Sequence, residues 1–192
     1  MVINMDKPSR KQNRLPDYDY TQEGAYFVTL CTHNRARLFA IENPYVGNDL
    51  CVVPQISGPT QGTARRPFST AGNQIIHKWV REVENKFPNV VIDKYVVMSD
   101  HLHLIVSIMH LIVSIKERHA GRSLPDVMRF FKTMTTNDYI RGVKDGTLTP
   151  FDGKLWQKSY YDHVIRNQQD YNEIWEYIEN NPTKWAITKG KI

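Results

Sequence analysis

The chain has 192 residues, 41% hydrophobic and 23% charged, the balance of an ordinary soluble globular domain rather than a disordered or membrane-embedded one. No apolar run reaches the roughly 18–20 residues of a membrane span, and the polar start, Met1 to Leu15, lacks the apolar segment of a secretory signal. Two cysteines, Cys31 and Cys51, exclude a disulfide framework or a Cys-rich zinc site and point to a cytoplasmic location, while a net charge of +5 leans towards a polyanionic partner.

In chain order, residues 1–23 read as an extended basic arm with Lys7, Arg10, Lys11 and Arg14. Gly24–Thr32 is aromatic and β-branched, a first strand, followed by the polar His33-Asn-Arg-Ala-Arg37. Residues 42–70 shift to Pro, Gly, Ser, Thr and Gln, a long flexible insert with a short strand expected at Leu50–Val53. Residues 73–87 place Ile75, Ile76, Trp79, Val80, Val83 and Phe87 on one helical face, and Pro88 ends that helix. Val90–Met98 is a second strand. A tight turn at Ser99-Asp100 leads into the strand that opens His101-Leu-His103, so an antiparallel hairpin is expected.

Residues two apart on a strand share a face, so both imidazoles leave the sheet together, roughly 6–7 Å apart at the backbone. That separation suits one metal ion held at about 2.0–2.2 Å per bond. The pair taken alone is more often incidental. His103–Ile108 is then repeated as His110–Ile115. A period of seven puts the second copy on the opposite face of a continuing strand, so His110 is assigned no role and a bulged or over-long strand is expected.

Residues 123–141 form a second helix, with Ser123 as cap and Pro125 in its first turn. Its Arg129, Lys132 and Arg141 are candidate DNA contacts or a solvated basic face. After a Gly/Thr/Pro loop, Lys154–Asn167 reads as a short extended segment. A last helix spans about Gln168–Asn181, stopped by Pro182. In it Tyr177 and Asn181 lie four apart on one face, so a phenol and an amide carbonyl point together. They read either as a nucleophile beside a third metal ligand, or as a rim tyrosine and a helix-ending asparagine.

His101-Leu-His103 matches the HUH motif, and the chain resembles the single-tyrosine HUH (IS200-like) transposases, most nearly the REP-associated tyrosine transposases. The resemblance is carried by Tyr18–Thr29, Val97–Leu104, Leu155–His163, Ile165–Asn167 and Glu176–Lys184, in that order. It implies an α/β (α+β) ferredoxin-like or RRM-like fold over one domain, 1–192, with a central antiparallel sheet of four to five strands and helices packed against it. It implies His101 and His103 as metal ligands with Asn181 as the third, Tyr177 as nucleophile, and Tyr171, Tyr160 and Tyr161 as competitors of lower rank. The implied cofactor is Mg or Mn. The implied activity is cleavage and transfer of single-stranded, hairpin-bearing DNA through a 5′-phosphotyrosine, by a homodimer. An inactive single-strand-binding module on the same fold is the alternative. Arg14, Arg35, Arg37, Arg129, Lys132, Arg141, Trp156 and Lys158 are the candidate DNA contacts. The heptad copy and the insert at 42–70 depart from the family pattern.

Overall fold

A computed structural model describes residues 18–41, 45–46, 70–109 and 123–189, with 45, 46, 70 and 185–189 described in their backbone alone. Arg14, the expected strand at 50–53 and the repeat around His110 lie outside the described residues. The elements are β1 (Gly24–Cys31), β2 (Tyr45–Val46), α1 (Thr70–Lys86), β3 (Val90–Val97), β4 (His101–Ile108), α2 (Leu124–Lys144), β5 (Tyr161–Ile165) and α3 (Gln168–Lys189).

The five strands form one sheet in the order β2-β3-β4-β1-β5, every neighbouring pair antiparallel. Without the two-residue edge strand β2, the succession β1-α1-β3-β4-α2-β5 with order β3-β4-β1-β5 is the ferredoxin-like arrangement. The β3–β4 hairpin closes where Met98 N–H donates to the His101 carbonyl at 2.9 Å, leaving Ser99-Asp100 as its loop. β4 is therefore the middle strand, and it ends at Ile108, where Met109 N–H turns to the Asn89 carbonyl.

Alternation along each strand sorts side chains between two cores. Tyr26, Val28, Leu30, Leu102, Leu104 and Val106 pack under α1 and α2. Val96, Met98, Ile105 and Ile165 pack under α3, with Ile174, Trp175 and Ile178 from the helix. The Trp79 indole N–H reaches Asp138 at 2.8 Å and ties α1 to α2.

Two expectations change in detail, and one strand is added. Ser123 occupies the N-cap of α2, but its hydroxyl donates to the Asp126 carboxylate at 2.6 Å instead of capping a backbone N–H. Tyr45–Val46 provides a strand inside the insert. The last helix does not stop at Pro182 but runs to Lys189. Proline removes one rung, its own missing N–H to the Ile178 carbonyl, whereas residues from 183 onward keep donors for the carbonyls four back, so the helix resumes.

Candidate active site

His101 and His103 stand at the start of the middle strand and face α3, because Leu102 and Leu104 take the other face. Their ring centroids lie 4.7 Å apart at 78°. Each ring is held through Nδ1. His101 Nδ1 lies 2.6 Å from Asp100 Oδ1, and since a carboxylate only accepts, the ring donates there and leaves Nε2 as a lone pair. His103 Nδ1 lies 2.8 Å from the hydroxyl of Thr29, its cross-strand partner on β1.

His103 is 4% exposed, and its Nε2 is buried without a hydrogen-bond partner. Leaving such an atom unpaired costs about 1–3 kcal/mol, which a bound cation would offset. Burial pushes the His103 imidazole down to about 3, with His101 and Arg35 adding to it, so the ring is neutral at physiological pH. Burial also lowers His101, against the opposing pull of Asp100. Two neutral imidazoles, each oriented by an oxygen on its other nitrogen, fit a divalent metal. No group of three His, Cys, Asp or Glu converges for a metal among the described residues.

α3 brings Tyr177 onto this face. Tyr177 sets its ring 5.3 Å from His103 at 73° and 5.8 Å from Phe27 at 87°, and Phe27 stacks on His103 at 5.3 Å. The imidazole is thus walled by two aromatic rings. Tyr177 keeps 43% of its surface open to solvent. Asn181, one turn on, is buried on the side of Ile178, which packs against the sheet.

The competing tyrosines separate by environment. Tyr171 donates its hydroxyl to Asp93 at 3.1 Å, and burial with that carboxylate pushes its phenol up to about 12. Tyr160 is buried. Tyr161 is 53% exposed and pairs across strands with Thr29, which puts it on the histidine face of the sheet edge.

The candidate DNA contacts do not gather at the histidines as a group. Arg35 does: it follows β1, holds a left-handed φ of 55°, and sets its guanidinium 3.7 Å from Asp100. Asn34 before it has φ 53°, a conformation asparagine accepts more readily than arginine. Arg37 is exposed on the same connection and Lys158 is exposed before β5. Arg129, Lys132 and Arg141 belong to α2, on the opposite side of the sheet, where they bond Asp126, the carbonyls of Gln157 and Lys158, and Asp138. Trp156, named among the candidate contacts although its sequence context favours core over a stacking platform, is core: its ring is buried against Phe39 and its N–H donates to Thr135 Oγ1 at 2.9 Å. Sequence reasoning missed Asp100, Thr29 and Phe27. Asp100 adjoins the motif and was legible as a carboxylate beside a histidine, whereas the other two enter only through strand register.

An antiparallel ferredoxin-like sheet with paired histidines facing a tyrosine-bearing helix defines a class of mixed α/β domain with its candidate site between sheet and last helix. The chain belongs to the IS200-like transposase family, whose model matches residues 63–181 and so includes both histidines, Tyr177 and Asn181. A Haemophilus influenzae Rd protein of uncharacterised function is 30% identical over 190 residues, covering 92% of this chain and 89% of that one. Among solved structures, a REP-associated tyrosine transposase bound to a REP hairpin aligns at 19% identity and a TM-score of 0.49, over 87% of this chain and 71% of its own. A crystal structure assigned to a transposase of Deinococcus radiodurans R1 aligns at 15% identity and a TM-score of 0.46, over 87% and 95%.

Proposed function

We propose that this transposase is a metal-dependent single-strand DNA endonuclease and strand transferase that uses Tyr177 as nucleophile. The observation that carries the reading is the partially exposed phenol of Tyr177 against His103, whose buried Nε2 lacks a partner. His101 and His103 would hold a divalent ion, Mg or Mn, through Nε2, with the Asn181 amide oxygen as third protein ligand. Such an ion, when bound, neutralises charge gathering on the non-bridging oxygens of a scissile phosphate.

The chain's own groups do the rest. Asp100 and Thr29 fix the two rings, and Phe27 with Tyr177 keeps water from one side of His103. In the step itself the Tyr177 oxygen bonds to phosphorus and the phosphorus–3′-oxygen bond breaks. The phenol loses a proton and the departing 3′-oxygen gains one. The product is a 5′-phosphotyrosine, whose bond energy lets a second 3′-hydroxyl rejoin the strand without ATP. Hairpin-bearing DNA as substrate, and a homodimer, follow from the REP-associated resemblance in the sequence.

Incubation with labelled hairpin DNA carrying single-stranded flanks, in Mn, should give an SDS-resistant protein–DNA adduct. Tyr177→Phe should abolish it, whereas Tyr171→Phe and Tyr161→Phe should retain it. An adduct that survives in Tyr177→Phe rejects the nucleophile, and one that survives EDTA rejects the metal. Binding without cleavage by the wild-type protein would favour the inactive module.

A further inference from the structure

A cleft of about 450 Å³ opens between α2 and the 153–158 loop, away from the face that carries the histidines. Lys132, Lys154 and Lys158 line it with Asn137 and Gln157, and none of its lining residues is acidic. Its floor is rigid, because Trp156 is stacked on Phe39 and bonded to Thr135. Lys132 is fixed as well, since its ammonium donates to the Gln157 and Lys158 carbonyls at 2.6 and 2.9 Å. Three lysines thus line a pre-formed polar space, and Lys154 and Lys158 are the two to substitute in a test of it. Lys154 and Lys158 are exposed.

The cleft is stitched to the histidine end of the sheet. The Gln157 N–H donates to the Cys31 carbonyl at 2.9 Å, His33 N–H donates to the Leu155 carbonyl at 2.9 Å, and Thr32 N–H donates to the Asp100 carbonyl at 3.0 Å. Cys31 is the cross-strand partner of His101. Gln157 therefore lies two strand spacings, roughly 10 Å, from His101 at the backbone. A stacked strand covers that in-plane separation in about three nucleotides at 3.4 Å each, and needs further nucleotides to pass from one face of the sheet to the other. The exposed Arg35 and Arg37 stand on the connection that leaves this same strand end.

We infer that the Lys132–Lys154–Lys158 cleft is a second DNA site, a phosphate-backbone clamp that holds the substrate strand after it rounds the end of β1 from the histidines. The inference rests on the DNA-cleaving reading of the preceding section. Lysines act on phosphate as point charges, so the clamp adds affinity and register but no base preference.

The test uses full-length Tyr177→Phe protein in EDTA, so that no turnover occurs, and fluorescence anisotropy with a labelled single-stranded oligonucleotide at several salt concentrations. Each lost phosphate contact should lower the slope of log affinity against log salt by about 0.7. Lys154→Ala and Lys158→Ala should each do so and weaken binding at low salt, and the Lys154→Arg and Lys158→Arg exchanges should restore it. Lys86→Ala removes the same charge at the exposed far end of α1 and should leave the slope unchanged. Alanine variants with the parental slope would overturn the clamp, as would an equal drop in Lys86→Ala, which would reduce the effect to net charge. Failure of the parent protein to bind single-stranded DNA at all would instead reject the DNA-cleaving reading itself.

Discussion

Asp100 shows how much of the site depends on one side chain that is neither ligand nor nucleophile. It accepts from His101 through Oδ1 and faces the Arg35 guanidinium through Oδ2. Partners of this kind typically govern metal affinity by 10–100-fold. Asp100→Ala should therefore weaken Mn binding by about 10-fold or more, read by Mn EPR titration, while Asp100→Asn, whose amide oxygen still accepts, should retain most of it. Equal loss in both would place the effect in the charge and not in the orientation of the ring. His103 makes a second prediction. Its pKa near 3 in the fold stands below the ordinary 6.5, so the unfolded chain binds the extra proton between those values. Stability from this group is complete above about pH 6.5 and lost as pH falls towards 3. Thermal unfolding in EDTA should show Tm declining with acidity across that window, and His103→Gln should flatten the decline.

The last helix is docked by polar contacts that sequence periodicity could not show. A register shift between Ile92 and Lys94 interrupts β3, and consecutive residues Asp93 and Lys94 then both engage α3 rather than opposite faces. Asp93 accepts from Tyr171 and from Ser107, while Lys94 lies 4.1 Å from the Trp175 ring centroid and pairs with Glu179. The Lys94 side chain is 1% exposed and that of Glu179 58%, so the pair is asymmetric. Removing Glu179 leaves a buried ammonium with the indole face as its main compensation, whereas removing Lys94 leaves a carboxylate already in water. Glu179→Gln should cost about 1–3 kcal/mol and Lys94→Met less, by urea unfolding. The reverse order would show that Lys94 matters for packing and not for charge. The same helix also marks a limit of sequence reasoning: Pro182 reads as a stop because proline breaks most isolated helices, yet here it costs a single rung.

At the scale of the molecule, most of the architecture was legible because local patterns and topology agree. The Ser99-Asp100 turn dictated the hairpin, apolar periodicity located α1 and α2, and the two-residue spacing put both histidines on one face. The distribution of basic residues between the two sides of the sheet was not legible. Whether Arg129, Lys132 and Arg141 sit beside the histidines depends on which face α2 covers, a property of chain crossing that no local pattern encodes. Trp156 was open for a related reason, since an aromatic beside lysines can be platform as well as core, although core was the favoured reading and is what the structure shows. Leu104, central in β4 and buried beneath α1 and α2, offers a check on this layer order. Leu104→Ala should cost about 2–5 kcal/mol by the cavity it leaves, without the loss of Mn affinity expected of Asp100→Ala.

In the proposed reaction a phenol on α3, set against the paired histidines, takes the DNA strand covalently. Its most direct test is to trap the adduct with hairpin DNA in Mn, digest with nuclease and trypsin, and locate the remaining phosphonucleotide by tandem mass spectrometry. Tyr177 falls in the tryptic peptide 167–184 with Tyr171, whereas Tyr161 falls in 159–166, so fragment ions separate all three. The modification is expected on Tyr177 and should disappear in His103→Ala. A nucleotide on Tyr161 or Tyr171, or Mn-dependent cleavage with no modified tyrosine, would contradict it.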